Sequence, residues 1–384
     1  MVITAIVLLF CARVFPQSVK VGGERLDQYS PWLKGKSIGI VANNASLAGN
    51  MNVVDLLVNS GFRIGRIFSP EHGFRTSADA GQIVDDLRDS VTGLPVISLY
   101  GKKRKPAKED LNNISMMVFD LQDVGVRFYT YISTLSYVME ACAENNIPLV
   151  VFDRPNPNGF YIDGPVLEKP FSSFVGLHPV PVVYGMTIGE YACMINGEGW
   201  LKNGVCCNLK VIPLENYTHQ SRLKRLERPS PNLTSMNAIL LYPSLCFFEG
   251  TVISVGRGTE HPFEMFGHPD LFTGSYIFIP ESIRGMSLHP PYENRICYGT
   301  NLQGLYDVPS EPDGKLNLFW LISAYHSLGN KTEFFTSYFD LLAGTDRLRK
   351  QIIEGLSEEE IKKTWQDDLT RFKKIRKKYL LYPE

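Results

Sequence analysis

The sequence lacks the features that mark several large functional classes. A net charge of −1 over 384 residues leaves no basic surplus, which a nucleic-acid-binding surface would need. The seven cysteines form no CxxC pair and are too sparse for a disulfide scaffold, and the seven histidines are scattered rather than clustered. No GxSxG segment is present, which disfavours a serine enzyme of the α/β-hydrolase class. We therefore predict no nucleic-acid partner and no bound metal.

Long apolar runs are also scarce, and the longest lies at the N-terminus. Val2–Val14 is almost entirely apolar but shorter than the roughly 20 residues that a membrane span needs. It is followed by "FPQS", as the apolar core of a secretory signal peptide would be, although the usual basic start is missing. We predict a signal peptide over residues 1–18 and a secreted or periplasmic protein without stable membrane insertion. A buried first strand is the alternative.

Apolar runs that alternate with helical patterns fill the first half of the chain. The predicted strands are 37–42, 62–68, 95–100, 116–120 and 148–153, and the predicted helices are 52–60 and 129–145. Strands that are apolar throughout indicate a parallel sheet covered on both faces, so residues 19–170 are expected to form a Rossmann-like α/β domain. The glycine fingerprint of a dinucleotide site, GxGxxG, does not follow the first strand, which weakens a nicotinamide-dependent oxidoreductase as a hypothesis.

The pattern changes near residue 170, where proline, glycine and aromatic residues become frequent and apolar runs become short. The predicted elements here are helices at 187–196 and 315–328, a strand at 208–214, and a final helix that begins at a capping box, Ser357–Glu360. We predict that residues 171–384 form a smaller α+β domain. The active site is then expected in the cleft between the two domains.

Polar side chains are concentrated where the predicted strands end. "NN" follows the first strand, "SPEHGFR" the second, "DLQDVGVRFYTY" the fourth and "DRPNPNGF" the fifth. In an open parallel sheet the carboxyl ends of the strands share one edge, where ligands bind. A further polar segment, 242–267, would suit the opposite wall of the cleft.

Each of these residues also has a structural alternative. Asp120 and Asp153 could cap a following turn or helix, and Glu71 with His72 could form a solvated turn. The aromatics of "RFYTY" could simply pack against the second domain. Taken together, however, carboxylates, amides, tyrosines and arginines suit a polyhydroxylated and partly anionic ligand. Two carboxylates across a cleft are what glycoside cleavage requires.

The motifs resemble those of a known family, the bacterial exo-β-N-acetylmuramidases. The similarity runs from about residue 36 to the C-terminus and includes "SPEHGF", "VFDLQDVGVRFYTYI", "FDRPNPNG", "GMTIGE", "SPNL" and "EGTVISVGRGTEHPFE". The resemblance implies a Rossmann-like domain joined to a smaller domain, with the active site between them. It implies release of N-acetylmuramic acid from the non-reducing end of peptidoglycan fragments during wall turnover or salvage. No organic cofactor is implied.

The resemblance also implies roles for individual residues. Glu71 is the expected catalytic acid, with His72 as its neighbour, and Asp120 and then Asp123 are the candidates for the second carboxylate. Arg127, Arg154 or Arg75 would hold the lactyl carboxylate of the muramic acid, and Asn43 would contact its hydroxyl groups. The full set of expected substrate-binding residues is Asn43, Arg75, Gln122, Arg127, Tyr129, Asp153, Arg154, Arg257, Thr259 and Glu260.

Two departures from the family pattern leave room for other hypotheses. Many relatives have an acid where this chain has Val255, and many have His where it has Tyr184. A glycosidase of the same fold that acts on another amino sugar is therefore one alternative. A wall-binding protein that has lost catalysis is the other.

Overall fold

The computed structural model describes residues 18–71, 73–75, 87–306, 313–328 and 333–384. The predicted signal peptide lies outside the described residues except for Ser18, and so does His72. Within the described residues, no helix combines the length and apolar composition that crossing a membrane requires.

Among the described residues, strands predominate in the first half of the chain and helices in the second. The first half contains α1 Leu26–Leu33, β1 Ser37–Ala42, β2 Leu47–Ala48, β3 Met51–Asn52, α2 Val53–Asn59, β4 Arg63–Ser69, β5 Leu87–Arg88, β6 Pro95–Ser98, β7 Met116–Asp120, α3 Tyr131–Glu144 and β8 Leu149–Phe152. The second half contains α4 Ile188–Gly197, β9 Leu209–Ile212, α5 Met236–Leu245, β10 Met265–His268, β11 Tyr276–Phe278, β12 Cys297–Asn301, α6 Phe319–Ser327, α7 Phe339–Ala343, α8 Arg347–Ile353, α9 Glu358–Lys363 and α10 Gln366–Arg376.

The main sheet has the order β5-β6-β4-β1-β7-β8-β9. Its strands are parallel except β5, which runs antiparallel to β6 at one edge. The central strand, β1, places Val41 between Phe68 of β4 and Phe119 of β7. All three side chains are fully buried, because the sheet is covered on both faces. The predicted α/β class with a parallel sheet is confirmed.

The strand predicted at 208–214 belongs to this sheet rather than to a second domain. It is β9, and it pairs in parallel with β8, with Val151 opposite Val211. Its assignment to the second domain was wrong. The irregular segment between β8 and β9 contains α4, so this connection is a long crossover, which obscured the strand's membership in the sequence.

The C-terminal part of the chain is smaller and mixed. Strands β10, β12 and β11 form an antiparallel sheet, and this part of the chain also contains α5 to α10. The predicted capping box is confirmed, because the Ser357 hydroxyl accepts from the Glu360 N–H and the Glu360 side chain from the Ser357 N–H. The prediction of a single final helix was wrong, since the chain forms two helices, α9 and α10, with a break at Thr364 and Trp365.

Candidate active site

A pocket of about 380 Å³ opens at the carboxyl edge of the parallel sheet. Glu71 enters it from the loop after β4, Tyr129 from the segment between β7 and α3, and Tyr131 from the first position of α3. The C-terminal part of the chain supplies the facing wall. Residues from that wall are Tyr242, Glu249, Arg257, Tyr338 and Leu341.

Glu71 is presented to the pocket by a tight turn. The Gly73 N–H donates to the Pro70 carbonyl at 3.2 Å, and Gly73 has φ +79°, a conformation that favours glycine. The Glu71 carboxylate forms a hydrogen bond with Tyr100, a second residue of the pocket lining. Burial, then the nearby Glu71 charge, raises the pKa of Tyr100, so this phenol stays protonated and able to donate.

Glu249 is the second carboxylate in the pocket lining, and the sequence did not single it out. It lies in the short 3₁₀ helix Cys246–Gly250, and its Oε1 accepts from Arg257 Nε at 2.5 Å. Burial opposes the charge on Arg257, but the Glu249 carboxylate raises the pKa of Arg257 overall, so the guanidinium stays charged. Glu71 and Glu249 therefore face the same cavity from the two parts of the chain.

Tyr129 and Tyr131 form an aromatic wall that is held rigidly. Their hydroxyl groups both donate to the Pro229 carbonyl, at 2.7 and 3.0 Å, and their rings are 4.7 Å apart. Asn43 Nδ2 donates to the Tyr131 hydroxyl at 2.7 Å, so this predicted sugar contact supports the wall from behind. Tyr129 also packs edge-on against Tyr242, as the structural alternative for these aromatics expected. Rings fixed in this way can receive the apolar face of a sugar.

Asp120 and Arg154 form a buried ion pair beneath the pocket rather than part of its lining. Arg154 Nη2 donates to Asp120 Oδ2 at 2.9 Å, and Nε donates to the other carboxylate oxygen. Arg154 also donates to the Leu47 carbonyl. Burial raises the pKa of Asp120, and Arg154 opposes that rise. Both side chains are thereby committed to partners within the protein.

Asp153 and Gln122 also hold the loops in place. Asp153 accepts from the Gly189 N–H at 2.7 Å in the first turn of α4, and from the hydroxyls of Thr187 and Tyr382. This is the capping role that the structural alternative gave it. Gln122 donates to the carbonyls of Asp123 and Pro155, at 2.8 Å each.

Asp123 is buried next to Tyr184. Tyr184 is one of the two departures from the family pattern. The Tyr184 hydroxyl and the Gly125 N–H both donate to Oδ2, the latter at 2.7 Å. Oδ1 is buried and has no partner among the described residues. Burial raises the pKa of Asp123 to about 6, against the effect of these donors.

Two of the arginines predicted to bind the lactyl group are bound to other partners. Arg127 is fully buried and donates to four backbone carbonyls, those of Pro165, Val180, Leu342 and Ala343. It therefore joins the loops after the sheet to α7. Arg75 pairs with Asp55 at 2.5 Å and with Asp89 at 2.7 Å.

Thr259 and Glu260 line a neighbouring pocket instead, together with Arg228. A third pocket, of about 390 Å³, lies between the two: it shares Ser230 with the first and Arg228 with the second. Asn43 lines this intermediate pocket. Val255, the other departure from the family pattern, is buried in the core.

Within the part of the chain that the structure describes, no group of three or more His, Cys, Asp or Glu side chains is arranged to hold a metal ion. The pocket instead combines two carboxylates with tyrosine rings and arginines at the edge of a parallel sheet. This combination defines an α/β enzyme of the glycoside hydrolase class.

Comparison with known proteins identifies the family. Residues 38–237 match the N-terminal domain and residues 240–382 the C-terminal domain of the family described as exo-β-N-acetylmuramidase NamZ. The chain belongs to this family. It is 39% identical to the peptidoglycan β-N-acetylmuramidase NamZ of Bacillus subtilis strain 168, over 93% of this chain and 89% of that protein.

Two crystal structures from Bacteroides fragilis share the fold. Both are of proteins described as DUF1343 family members. One is 46% identical, with a TM-score of 0.88 over 96% of this chain and 100% of the other. The second is 29% identical, with a TM-score of 0.79 over 95% of this chain and 99% of the other. The predicted family and fold are therefore confirmed.

Proposed function

We propose that the pocket removes N-acetylmuramic acid, one residue at a time, from the non-reducing end of peptidoglycan fragments. The observation that carries this proposal is the pair Glu71 and Glu249 in one cavity between the two parts of the chain. A cavity of about 380 Å³ suits a single terminal sugar, whereas a long polymer would need an open groove. Membership of the exo-β-N-acetylmuramidase family supports the same substrate.

Glu71 is the proposed general acid. It gives its proton to the glycosidic oxygen as the bond from that oxygen to C1 breaks, and Tyr100 orients the carboxyl group by a hydrogen bond. Water supplies the oxygen that bonds to C1, and its proton restores the acid–base pair. The positive charge that develops on the sugar ring is stabilised by a carboxylate on the facing wall.

We propose Glu249 for that second carboxylate, in place of Asp120. Glu249 lines the cavity, whereas Asp120 is fully buried and bound to Arg154 on both oxygens. Arg257 Nε donates to Oε1 of Glu249, and the Cys246 thiol lies 3.7 Å from Oε2 as a weak donor. A separation of roughly 5 Å between the two carboxylates would make Glu249 a nucleophile, and one of about 6.5–9.5 Å would make it the base for a water molecule.

The rest of the saccharide chain would leave the cavity past Ser230. This residue lines both the first pocket and the intermediate one, where Asn43, Asn44 and Arg284 offer polar contacts. A groove of this kind would bind the sugars on the reducing-end side of the cleaved bond.

The substrate assignment is tested with two isomeric disaccharides. We expect release of N-acetylmuramic acid from a disaccharide that carries it at the non-reducing end, and much slower cleavage when N-acetylglucosamine occupies that end. Product identification by mass spectrometry makes the measurement. Preferential release of another amino sugar would replace the proposed substrate, and tight binding without any turnover would favour the wall-binding alternative.

We further propose that the protein acts outside the cytoplasm. The apolar segment Val2–Val14, followed by "FPQS", supports this proposal. The expected result is a mature protein that begins near residue 19 when the N-terminus is sequenced from the extracytoplasmic fraction. An intact N-terminus on protein confined to the cytoplasm would contradict it.

A further inference from the structure

An anionic substrate would add a negative charge to a pocket that already contains two carboxylates. Glu71 and Glu249 both line it, and the lactyl group of muramic acid would bring a third carboxylate. A carboxylate that enters such a site needs a cationic partner, because like charges in a partly buried cavity repel strongly. The arginines predicted from the sequence do not serve here, since Arg75, Arg127 and Arg154 do not line this cavity and each donates to acceptors of the protein.

Arg257 has a donor that the protein does not use. Its Nε is bound to Glu249 at 2.5 Å, but its Nη1 is buried and has no partner among the described residues. A buried donor without an acceptor is unfavourable by about 1–3 kcal/mol, so an acceptor on a ligand would be favoured at this point. Arg257 lines the cavity with a partly exposed side chain, so its positive charge acts on a substrate held there.

Arg104 supplies a second cation to the lining of the same pocket. Its guanidinium carbon lies 4.3 Å from the centre of the Phe174 ring, and Phe174 stacks on Tyr137. Arg104 is exposed and has no salt bridge within the part of the chain that the structure describes. The charges of both Arg104 and Arg257 act on Tyr100, where they lower its pKa against the larger effect of burial. Both guanidinium groups are therefore near the same phenol.

We propose that Arg257 and Arg104 bind the lactyl carboxylate and so select muramic acid against N-acetylglucosamine. This inference rests on the proposed function and adds the residues that determine specificity. The two sugars differ only by the lactyl ether. Selection between them must therefore come from protein groups that contact the lactyl group, not from those that contact the N-acetyl and hydroxyl groups. A planar guanidinium with a free Nη1 matches a carboxylate oxygen better than a lysine would.

The test compares two substrates that differ only in the lactyl group. The substrates are the 4-nitrophenyl β-glycosides of N-acetylmuramic acid and of N-acetylglucosamine, assayed with the wild type, Arg257→Gln and Arg104→Gln. We expect each variant to lose roughly 10- to 100-fold in kcat/KM on the muramic glycoside, the range of a charged hydrogen bond. We expect a much smaller loss on the glucosamine glycoside, so the preference for muramic acid narrows at least about tenfold.

The ratio of kcat/KM on the two glycosides distinguishes binding of the lactyl carboxylate from structural support of Glu249. If Arg257 acts only by holding Glu249, both substrates lose the same factor and the ratio stays constant, which would overturn its proposed role. Arg104 has no bond to Glu249 and is exposed, so its variant tests the inference without disturbing the fold. Arg371→Gln, on the exposed face of α10, is the matched control and should leave the ratio unchanged.

The two proposals fail in different ways. A wild type that cleaves both glycosides without preference would refute the selection by the lactyl group while the glycosidase activity stands. A wild type that cleaves neither would refute the proposed function, and the inference with it. Retention of the full preference in both arginine variants would show that another group reads the carboxylate.

Discussion

Replacement of Glu71 by Gln is expected to lower kcat on a muramic-acid-terminated saccharide by about 10³-fold or more. General acid catalysis contributes roughly 10²–10⁴-fold, and an amide has no proton of suitable acidity to give. The Gln side chain has the same shape and can still form a hydrogen bond with Tyr100, so substrate binding should persist. Steady-state kinetics on the saccharide, with calorimetric binding of N-acetylmuramic acid, would measure both quantities.

A substrate with a better leaving group tests whether Glu71 acts as the acid. A dinitrophenolate departs without protonation, so the variant should lose far less activity on a dinitrophenyl glycoside than on the natural saccharide. Equal losses on both substrates would assign Glu71 to another step, and unchanged turnover would remove it from the mechanism. Glu359→Gln, at an exposed position on α9, controls for the loss of one negative charge.

Much of the fold could be predicted because its strands are buried on both faces. The runs that became β1, β7 and β8 are almost entirely apolar, and such runs need no information from distant residues. The strand β9 was assigned to the wrong unit, because its partner β8 is separated from it by a long irregular connection. The break between α9 and α10 was missed, since the apolar stripe continues across it through Trp365 and Leu369.

The site shows a sharper limit of sequence reasoning. The rule that ligands bind where parallel strands end points to the edge of the sheet where the first pocket opens, and Glu71 and Tyr129 line that pocket. The same rule predicted Asp120 and Asp153 as site residues, although both are fully buried. Whether a carboxylate at a strand end is buried depends on partners far away in sequence, such as Tyr382, which donates to Asp153.

The facing wall could not be derived from the first half of the chain. Glu249 lies in a segment that the sequence identified only as polar and rich in turns, and its role depends on which side of the 3₁₀ helix meets the cleft. Arginine roles were equally hidden, because the sequence does not distinguish a guanidinium bound to backbone carbonyls, as in Arg127, from one that faces a ligand. Carboxylates and arginines can be counted from a sequence, but their pairing is a property of the folded chain.

The largest expected loss of stability follows from breaking the pair of Asp120 and Arg154. Replacement of Arg154 by Leu would leave a fully buried carboxylate without its cation, which typically lowers the free energy of unfolding by about 3–5 kcal/mol. Denaturant titration of the wild type and the variant would measure the difference. The exposed pair of Lys20 and Glu215 provides the matched control, and Glu215→Gln should change stability by no more than about 1 kcal/mol.

The pH dependence of that loss distinguishes a buried charge from lost packing. Burial already raises the pKa of Asp120 and Arg154 opposes the rise, so removal of Arg154 should raise this pKa further. A carboxyl group whose pKa is higher in the folded state than in the unfolded state binds more protons when folded, so its unfavourable effect grows as the pH rises above about 4. The deficit of Arg154→Leu should therefore shrink toward pH 4, and Asp120→Asn combined with Arg154→Leu should recover part of the stability at pH 7. A deficit that is independent of pH and persists in the double variant would mean that packing around the Arg154 side chain, rather than its charge, stabilises this edge of the sheet.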